Sequence, residues 1–527
     1  MKVYSAIADV FVKDGVDTVF GLVGDGNLRF VDSFVNEYKG TYVAAAHEAG
    51  VMFMAFGYGY VSDRLAVATV THGPALTNTL TGLVEAVRGR VPLVLVAGDT
   101  EDPASVQNIA QRDVVLPTGA GFVQVRSAGT AAADTAAAIR QARAERRPVV
   151  LNVPVELMTK ETGTPPVVQT VVPATRTEPD AASLKRALEI IAEARQPVLL
   201  AGWGARDDRA ELLALADRIG ARVATTLKGN GLFRGSPRDL GFLGRLASPE
   251  VAEVWENADC VIAFGTSLTK LTTRGGDFLR GKRLIHCEPD AGQIGLAAPV
   301  DVGLVGDPGR VAAALLDGLG AGGAAAPAPA PLAPPTWPTK QTAEGTVDLW
   351  STLSYLDNAV PEDRIYVTDG GRFMVQAWKL IQAPDPRSFV YPNNFGSIGT
   401  GMGAAVGAAF AAPGRPILMV TGDGGFMHGG LAEFNTAVRY GLDLIVVVCN
   451  DAGYGAEHVQ LVDHGLDTGL AFFDWPELAT VAEALGGQGC TVRRPEDLER
   501  AAKAIAQRDR PLLIDVKLDM AALPPLW

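Results

Sequence analysis

Two aspartates stand at the ends of two neighbouring apolar runs, in a spacing that could hold a divalent cation. Residues 416–421 form the first run and lead into Gly422-Asp423-Gly424-Gly425, and residues 442–449 form the second and lead into Asn450-Asp451. A helical pattern lies between the two runs, which is typical of a βαβ unit. A right-handed crossover places the carboxyl ends of both strands at one sheet edge, where Asp423 and Asp451 can converge.

Glycines surround the first aspartate, and this composition suits a phosphate group as well as a cation. Gly422, Gly424 and Gly425 allow backbone N–H groups to approach a diphosphate, while paired carboxylates suit a hard cation that bridges phosphate oxygens. A single Gly-Asp-Gly after a strand is more often an ordinary turn. The pattern therefore needs a second, independent signal.

That signal lies near the start of the chain, where Glu48 opens a predicted helix after the predicted strand 41–46. A glutamate in the first turn of a helix is ordinary by itself, because it interacts favourably with the helix dipole. With the Gly-Asp-Gly unit present in the same chain, a catalytic carboxylate becomes the better interpretation of Glu48.

Together these segments resemble the thiamine diphosphate (ThDP)-dependent enzymes of the acetohydroxyacid synthase, pyruvate decarboxylase and benzoylformate decarboxylase type. In that family the Gly-Asp-Gly turn is followed by Asn-Asn at the end of the next strand. Here twenty-five residues separate Gly424 from Asn450, and Asp451 stands in place of the second Asn. Further segments that agree with the family lie at residues 17–21, 71–78, 111–113, 197–202 and 300–307.

The resemblance implies a site for ThDP and Mg²⁺. It implies Asp423, Asp451 and the carbonyl of Gly453 as the ligands of the metal, and an aspartate at 451 suits Mg²⁺ because this ion prefers carboxylate oxygen. Glu48 corresponds to the glutamate that meets the aminopyrimidine, and Ile398 to the apolar wedge that bends the cofactor. The remaining cofactor contacts that it implies are Gly422, Gly424, Gly425, Phe426, Asn450, Tyr454 and Gly371.

The same resemblance implies a catalytic role for three residues on the substrate side: Gln111, His72 and Glu457. Glu457 lies six residues past Asp451, where pyruvate decarboxylases have a proton-donating glutamate. His72 stands where relatives commonly have Ser, and two further histidines, His428 and His458, flank the same strand ends. A single histidine is more often structural than catalytic, so we expect one of these three to contact substrate, with His72 ranked first.

Alternating apolar runs and helical periodicity predict an α/β fold with three doubly wound parallel-sheet domains. At roughly 150 to 200 residues per domain, the length also predicts three. The expected parts are a pyrimidine-binding domain (1–165), a middle domain (180–318), a linker (319–342) and a diphosphate-binding domain (343–527). Linker composition also marks residues 160–179. The predicted strands are 41–46, 66–70, 91–97, 197–201, 261–264, 283–286, 364–368, 416–421, 442–449 and 511–516.

Composition excludes several classes of function. The net charge of −13, without a basic stripe, argues against a nucleic-acid partner. No apolar run is long enough for a membrane helix, and the first residues lack the apolar segment of a signal peptide, so we expect a cytoplasmic protein. The four cysteines show no metal or disulfide spacing and are predicted to be buried thiols.

The expected activity makes or breaks a carbon–carbon bond next to a carbonyl. Its substrates are a 2-oxo acid or an aldehyde, with decarboxylation, acetolactate synthase-like carboligation to a 2-hydroxyketone, or both. An acyl-CoA lyase of the oxalyl-CoA decarboxylase type and a non-catalytic ThDP-binding protein remain alternatives, although the latter would be expected to lack Glu48. FAD is doubtful, because residues 265–271 lack the family's FAD-associated stretch. The resemblance also implies a homodimer or dimer of dimers with active sites at the interface.

Overall fold

The computed structural model describes residues 1–163, 168–171, 176–320, 326–327, 329–330, 332 and 339–523. Parts of both predicted linkers, at 164–167, 172–175 and much of 321–338, therefore lie outside the described residues. The described residues form two compact units: one contains those within 1–173, 340–377 and 390–526, and the other those within 174–339 and 378–389. The domain bounds expected from the sequence stay a prediction.

Eighteen strands are present in the described residues. They are β1 (Thr18–Gly21), β2 (Thr41–Ala44), β3 (Ala66–Val70), β4 (Leu93–Asp99), β5 (Gly121–Gln124), β6 (Pro148–Pro154), β7 (Pro197–Ala201), β8 (Arg222–Thr225), β9 (Asp239–Phe242), β10 (Cys260–Phe264), β11 (Arg283–Glu288), β12 (Val302–Val305), β13 (Ile365–Thr368), β14 (Phe389–Val390), β15 (Ile417–Gly422), β16 (Leu444–Asn450), β17 (Gln488–Val492) and β18 (Leu512–Lys517). All ten predicted strands are among them, and their ends differ from the prediction by at most two residues.

Helices alternate with these strands along the chain. In the described residues they are α1 (Val3–Lys13), α2 (Leu28–Asp32), α3 (Glu48–Ser62), α4 (Pro74–Thr77), α5 (Leu80–Gly89), α6 (Gln111–Val115), α7 (Ala131–Glu145), α8 (Val155–Met158), α9 (Ala181–Glu193), α10 (Arg209–Ile219), α11 (Pro249–Asn257), α12 (Lys270–Thr273), α13 (Pro308–Gly318), α14 (Leu349–Ala359), α15 (Met374–Leu380), α16 (Gly401–Ala411), α17 (Asp423–Gly425), α18 (Leu431–Arg439), α19 (Gly455–Asp463), α20 (Leu478–Ala484) and α21 (Asp497–Gln507). None of them is long and apolar enough to span a bilayer.

The strands build three six-stranded sheets in the described part of the chain. Their orders are β2-β1-β3-β4-β6-β5, β12-β11-β10-β7-β8-β9 and β14-β13-β15-β16-β18-β17. All strand pairs in the first two sheets are parallel, as are the pairs that β13, β15, β16, β18 and β17 form in the third. The predicted α/β class with three parallel sheets is thus confirmed.

The first and third sheets share one topology, and it determines where ligands can bind. In each, the strand order reverses between the first and third strands, at β1 and β3 and at β13 and β15. Neighbouring loops diverge at such a reversal, and the crevice at the carboxyl ends of these strands is where doubly wound folds bind ligands. The Gly-Asp-Gly turn follows β15 and His72 follows β3, so both lie at a reversal.

Two apolar helices, α3 and α16, pack against each other within the first compact unit. Residues 50–61 of α3 and 401–408 of α16 are all buried, which is expected of helices that are apolar on every face. Glycines allow the close contact, because a Cβ at Gly57 would overlap the backbone of Ala404 and one at Gly407 that of Met54. This contact joins α3, the helix that begins at Glu48, to α16, a helix of the third sheet layer.

The close helix contact generates a prediction about Gly57. Alanine gains roughly 1 kcal/mol in helix propensity over glycine, but forced backbone separation in a packed core costs roughly 1 to 3 kcal/mol. Gly57→Ala should therefore lower the midpoint of chemical denaturation. Gly129→Ala is the control, since Gly129 is exposed and a Cβ there meets nothing within 4 Å. Equal midpoints for the two variants would contradict the assigned contact.

Candidate active site

A cavity of about 200 Å³ opens at the reversal between β13 and β15. Most of the residues predicted to hold the cofactor line it: Gly371, Ile398, Gly422, Asp423, Gly424, Gly425, Asp451, Gly453 and Tyr454, together with Glu457. The loops after four neighbouring strands, β14, β13, β15 and β16, supply this set. The fold thus brings together residues from separate parts of the sequence, as the βαβ pattern predicted.

Two of the residues predicted to contact the cofactor do not line this cavity but support residues that do. Phe426 is fully buried and packs edge-on against Phe434, with ring centroids 6.2 Å apart. The Asn450 amide donates to Asp515 Oδ1 at 2.8 Å, and its oxygen accepts the N–H of Ala452 at 3.1 Å. Both therefore fix the turns on which other residues stand.

Asp423 and Asp451 form a buried acidic pair. Their exposed fractions are 1% and 8%, and Asp423 Oδ2 accepts the N–H of Gly453 at 2.8 Å. Burial raises the pKa of Asp423 to about 6. The pKa of Asp451 is raised well above its usual value, first by burial and then by the charge of Asp423, while Arg372 opposes the rise. Two buried carboxylates in one place favour either protons or a cation.

The oxygen atoms around this pair fit Mg²⁺. The Gly453 carbonyl oxygen is 3.5 Å from the position that a Cβ at Gly424 would take, so it faces the Gly-Asp-Gly turn. Two carboxylates and one carbonyl are a donor set that leaves positions for water or phosphate oxygens. Among the described residues no group of three or more His, Cys, Asp or Glu side chains could hold a metal, so such a site depends on main-chain and ligand oxygens.

Glycine is required at two positions of this cavity by close approach. A Cβ at Gly424 would lie 2.4 Å from the ring of Tyr454, and one at Gly455 would overlap the Asp451 carboxylate. Glycine therefore lets these turns approach Tyr454 and Asp451 more closely than a residue with a side chain could.

Glu48 begins α3, as predicted, but it stands beside a different cavity. Its Oε2 accepts a hydrogen bond from Asn78 Nδ2 at 3.0 Å, and its side chain is 14% exposed. Asn78 and His47 line a second cavity of about 440 Å³, and Ile398 lines both cavities. Glu48, His72 and Gln111 do not line the first cavity of their own chain.

Glu433 fixes the start of the Glu48 helix. This buried residue of α18 accepts the N–H groups of Ala46 and His47, each at 3.2 Å, and the hydroxyl of Thr436 at 2.8 Å. Burial raises the pKa of the Glu433 carboxyl, and the hydrogen bonds oppose the rise. Its contacts lock the residue that precedes Glu48, so Glu433 acts on the helix through the backbone.

His72 lies at the reversal between β1 and β3, beside an aspartate that the sequence reasoning missed. Its Nδ1 lies 3.2 Å from Thr71 Oγ1 and 3.9 Å from Asp25 Oδ1, and Thr71 Oγ1 donates to the same Asp25 oxygen at 3.0 Å. His72 is buried whereas Asp25 is exposed. A signal was present, because Gly24-Asp25-Gly26 repeats the Gly-Asp-Gly pattern after an apolar strand.

Gln111 is held inside the first sheet layer by three hydrogen bonds. Its Oε1 accepts the N–H of Gly73 at 2.9 Å, and its Nε2 donates to Gly98 O at 2.8 Å and to Asn152 Oδ1 at 2.5 Å. These bonds order the loop that carries His72. The catalytic role of Gln111 implied by the resemblance stays a prediction.

The other predicted residues are spread around the two cavities. Glu457 is exposed and lines the first, while His428 is exposed and lines the second. His458 packs edge-on against Phe472, with ring centroids 5.3 Å apart. Arg372, which the sequence reasoning did not single out, lines the first cavity and donates to the carbonyls of Met520 and Leu523 at 3.0 and 2.9 Å.

Comparison with known proteins explains this arrangement. The N-terminal TPP binding domain of thiamine pyrophosphate enzymes matches residues 1–117, their central domain residues 184–315, and their C-terminal TPP binding domain residues 369–516. This chain belongs to the thiamine pyrophosphate enzyme family. The predicted family and its ThDP-dependent chemistry are thereby confirmed, and the predicted order of domains is that of the matches.

Several curated proteins are similar over most of their length. A sulfoacetaldehyde acetyltransferase of Castellaniella defragrans is 28% identical, with 94% of this chain and 89% of that protein covered. An acetolactate synthase large subunit of Parasynechococcus marenigrum is 27% identical, with 97% and 86% covered. A probable 2-ketoarginine decarboxylase of Pseudomonas aeruginosa is 29% identical, with 94% and 89% covered.

A solved structure confirms the fold. The ThDP-dependent 4-hydroxybenzoylformate decarboxylase of Rhodococcus jostii RHA1 superimposes with a TM-score of 0.82 at 22% identity, and the match covers 98% of this chain and 99% of that one. At this identity the likeness concerns the fold, and the roles of individual residues stay predictions.

The acidic pair generates a prediction about ligand binding. Asp423→Ala should abolish the joint binding of ThDP and Mg²⁺, because the cation loses a carboxylate and the diphosphate loses its bridge. Asp451→Asn is the matched control and should bind both, since it restores the family's usual residue. Isothermal titration calorimetry measures both affinities. Normal ThDP affinity in Asp423→Ala would rule out the metal assignment.

The raised pKa values generate a second prediction, about pH. A predicted Mg²⁺ ion would bind the ionised carboxylates, and burial raises the pKa of Asp423 to about 6, so protons should compete with the cation near that pH. The affinity should fall as the pH is lowered through 6, and binding there should release protons. Calorimetry in two buffers of different ionisation enthalpy counts these protons. Asp451→Asn should release fewer, and equal release by wild type and variant would contradict a shared role of the pair.

Proposed function

We propose that this protein is a ThDP- and Mg²⁺-dependent enzyme that removes the carboxylate of a 2-oxo acid and then protonates the product or joins it to a second carbonyl compound. The observation that carries the proposal is the buried pair Asp423 and Asp451 beside glycine turns at a strand-order reversal. The decarboxylase and carboligase class predicted from the sequence agrees with the relatives, which include a decarboxylase, a synthase and an acetyltransferase.

In this proposal Asp423, Asp451 and the Gly453 carbonyl hold the metal, and the turns at Gly422–Gly425 and around Gly371 and Tyr454 hold the diphosphate. When bound, ThDP would supply a nucleophilic carbon and a ring that takes up the electron pair left by loss of CO₂. Glu48 would hold a proton at the aminopyrimidine nitrogen, and Ile398 would pack against the cofactor. Because Ile398 lines both cavities, it stands where the two halves of a site would meet.

On the substrate side, Asp25 and His72 supply an acid and a base that both hydrogen-bond to Thr71 Oγ1 at the other strand-order reversal. Glu457, exposed at the first cavity, can donate the proton that releases an aldehyde. Removal or displacement of that donor favours transfer to an aldehyde or second 2-oxo acid instead. In this proposal, the balance between decarboxylation and carboligation depends on whether a proton donor reaches the reacting carbon.

We also propose that the active unit is a homodimer, or a dimer of dimers, in which each site is built from two chains. Glu48, His72 and Gln111 do not line the Asp423 cavity of their own chain, which supports a site completed by a second copy. A two-fold interface repeats every contact and excludes water from the reacting atoms.

The reaction class is tested by incubating the holoenzyme with a panel of 2-oxo acids, with and without an aldehyde acceptor. CO₂ release with aldehyde formation identifies a decarboxylase, and 2-hydroxyketone formation identifies a carboligase. Turnover of acyl-CoA substrates alone would favour the acyl-CoA lyase alternative. No turnover of any class by a ThDP-loaded protein would contradict the proposal.

Glu48 provides the sharpest test of the shared site. Glu48→Gln should retain ThDP and lose roughly 10²- to 10⁴-fold in turnover, as for other proton-transfer groups. Deuterium exchange at the reactive carbon of bound ThDP should slow in parallel.

Mixing then separates the two models of the site. Glu48→Gln and Asp423→Ala chains, each inactive alone, should recover activity when assembled together, because one of the two hybrid sites keeps both wild-type residues. Hybrids no more active than either parent, although both parents fold and associate, would show that each site lies within one chain.

A further inference from the structure

The loop that carries Ile398 is held at one end by a buried aspartate of its own sheet layer. Asp369, directly after β13, accepts the N–H groups of Gly399 at 3.1 Å and Gly401 at 3.3 Å. Its burial is almost complete, at 1% exposure. The end of the loop that leads into α16 is therefore fixed by a carboxylate within the third sheet.

The other end of this loop contacts the first sheet layer. Residues 394–401, the wedge loop, include Phe395 and Gly396, which are both exposed. Gly396 and Gly399 have φ angles of +88° and +76°, a region that glycine enters without strain. The course of the backbone around Ile398 therefore depends on the contacts that hold the loop at its two ends.

Glu85 is the residue that holds it. This glutamate lies on α5, in the first sheet layer, and is 1% exposed. Its Oε1 accepts Asn394 Nδ2 at 2.5 Å, and its Oε2 accepts the N–H of Phe395 at 2.8 Å. Arg88, one turn later, covers the ring of Phe395 with its guanidinium carbon 4.7 Å from the ring centroid.

A carboxylate is the side chain that this contact needs. Both partners are N–H donors, so both oxygens must accept, and charged acceptors make the stronger hydrogen bonds. A leucine at this position would fill a similar volume but accept neither bond. Both partly buried donors would then lose this acceptor, which costs more than the loss of an exposed contact.

We propose that Glu85 is a positioning residue for the cofactor-bending side chain, so that the first sheet layer determines where Ile398 stands. The inference rests on the proposed function for the role of Ile398, although the clamp itself does not. Asp369 and Glu85 fix opposite ends of the wedge loop, and Ile398 lies between them at the boundary of the two cavities. Displacement of the loop therefore moves Ile398 relative to both cavities.

The first experiment measures the loop in the cofactor-free protein. Glu85→Leu should raise amide hydrogen exchange of residues 394–401 roughly ten- to hundredfold, because the two charge-assisted hydrogen bonds no longer oppose local opening. The double variant Glu85→Gln/Asn394→Asp reverses donor and acceptor and should restore protection. Tyr440→Phe is the control, since it removes a bond between the same layers, from Ala44 N to Tyr440 Oη at 2.8 Å, away from the loop.

The second experiment measures the consequence for the cofactor. Glu85→Leu should weaken ThDP binding roughly tenfold at saturating Mg²⁺ and lower kcat with little change in KM, and the double variant should recover both. Unchanged loop exchange in Glu85→Leu, or an equal rise in Tyr440→Phe, overturns the clamp. Faster exchange with unchanged ThDP affinity and kcat overturns the positioning role.

The two hypotheses fail in different ways. Absence of ThDP binding by the wild-type protein would contradict the proposed function, and the positioning role would fall with it. The exchange measurement would still decide whether Glu85 clamps the loop, because it requires no cofactor.

Discussion

The burial of two carboxylates at one sheet edge is the constraint on which the rest of this structure depends. Asp423 and Asp451 are almost inaccessible to solvent, so burial raises both pKa values, and the charge of Asp423 raises that of Asp451 further. A hard cation relieves that repulsion, and the adjacent glycine turns present N–H groups to an anion. The arrangement favours a paired ligand that brings positive and negative charge together, as Mg²⁺ and a diphosphate do.

The same constraint accounts for the supports around the pair. Asn450 orders the turn after β16, Phe426 anchors the turn after β15, and Arg372 places a positive charge beside Asp451. Each acts on the position or charge of the carboxylates. The residues predicted to bind the ligand are thus few, and a larger number of residues hold them in place. Only the predicted ligand-binding residues can be recognised from their residue types.

Two buried glutamates link the layers of the first and third sheets by hydrogen bonds. Glu433, from the third sheet layer, holds the backbone at the start of the Glu48 helix, and Glu85, from the first, holds the loop that contains Ile398. Each layer thus holds a segment of the other that carries a predicted site residue. The packing of α3 on α16, with glycine at the closest points, makes both contacts possible.

Local pattern in the sequence determined the strands, the class of fold and the residue types at the strand ends. The periodicities of strands and helices can be recognised within a few residues, which is why the ten predicted strands agree with the structure. A Gly-Asp-Gly turn directly after a strand is likewise expected at the edge of a sheet. Only the tertiary structure decided that Asp25 meets His72, that Glu85 meets Asn394, and that the bonds of Gln111 are satisfied internally. These contacts depend on strand order and on how two layers pack. Such information is spread over residues that are distant in the chain, because burial and hydrogen bonding are completed only when the sheets come together.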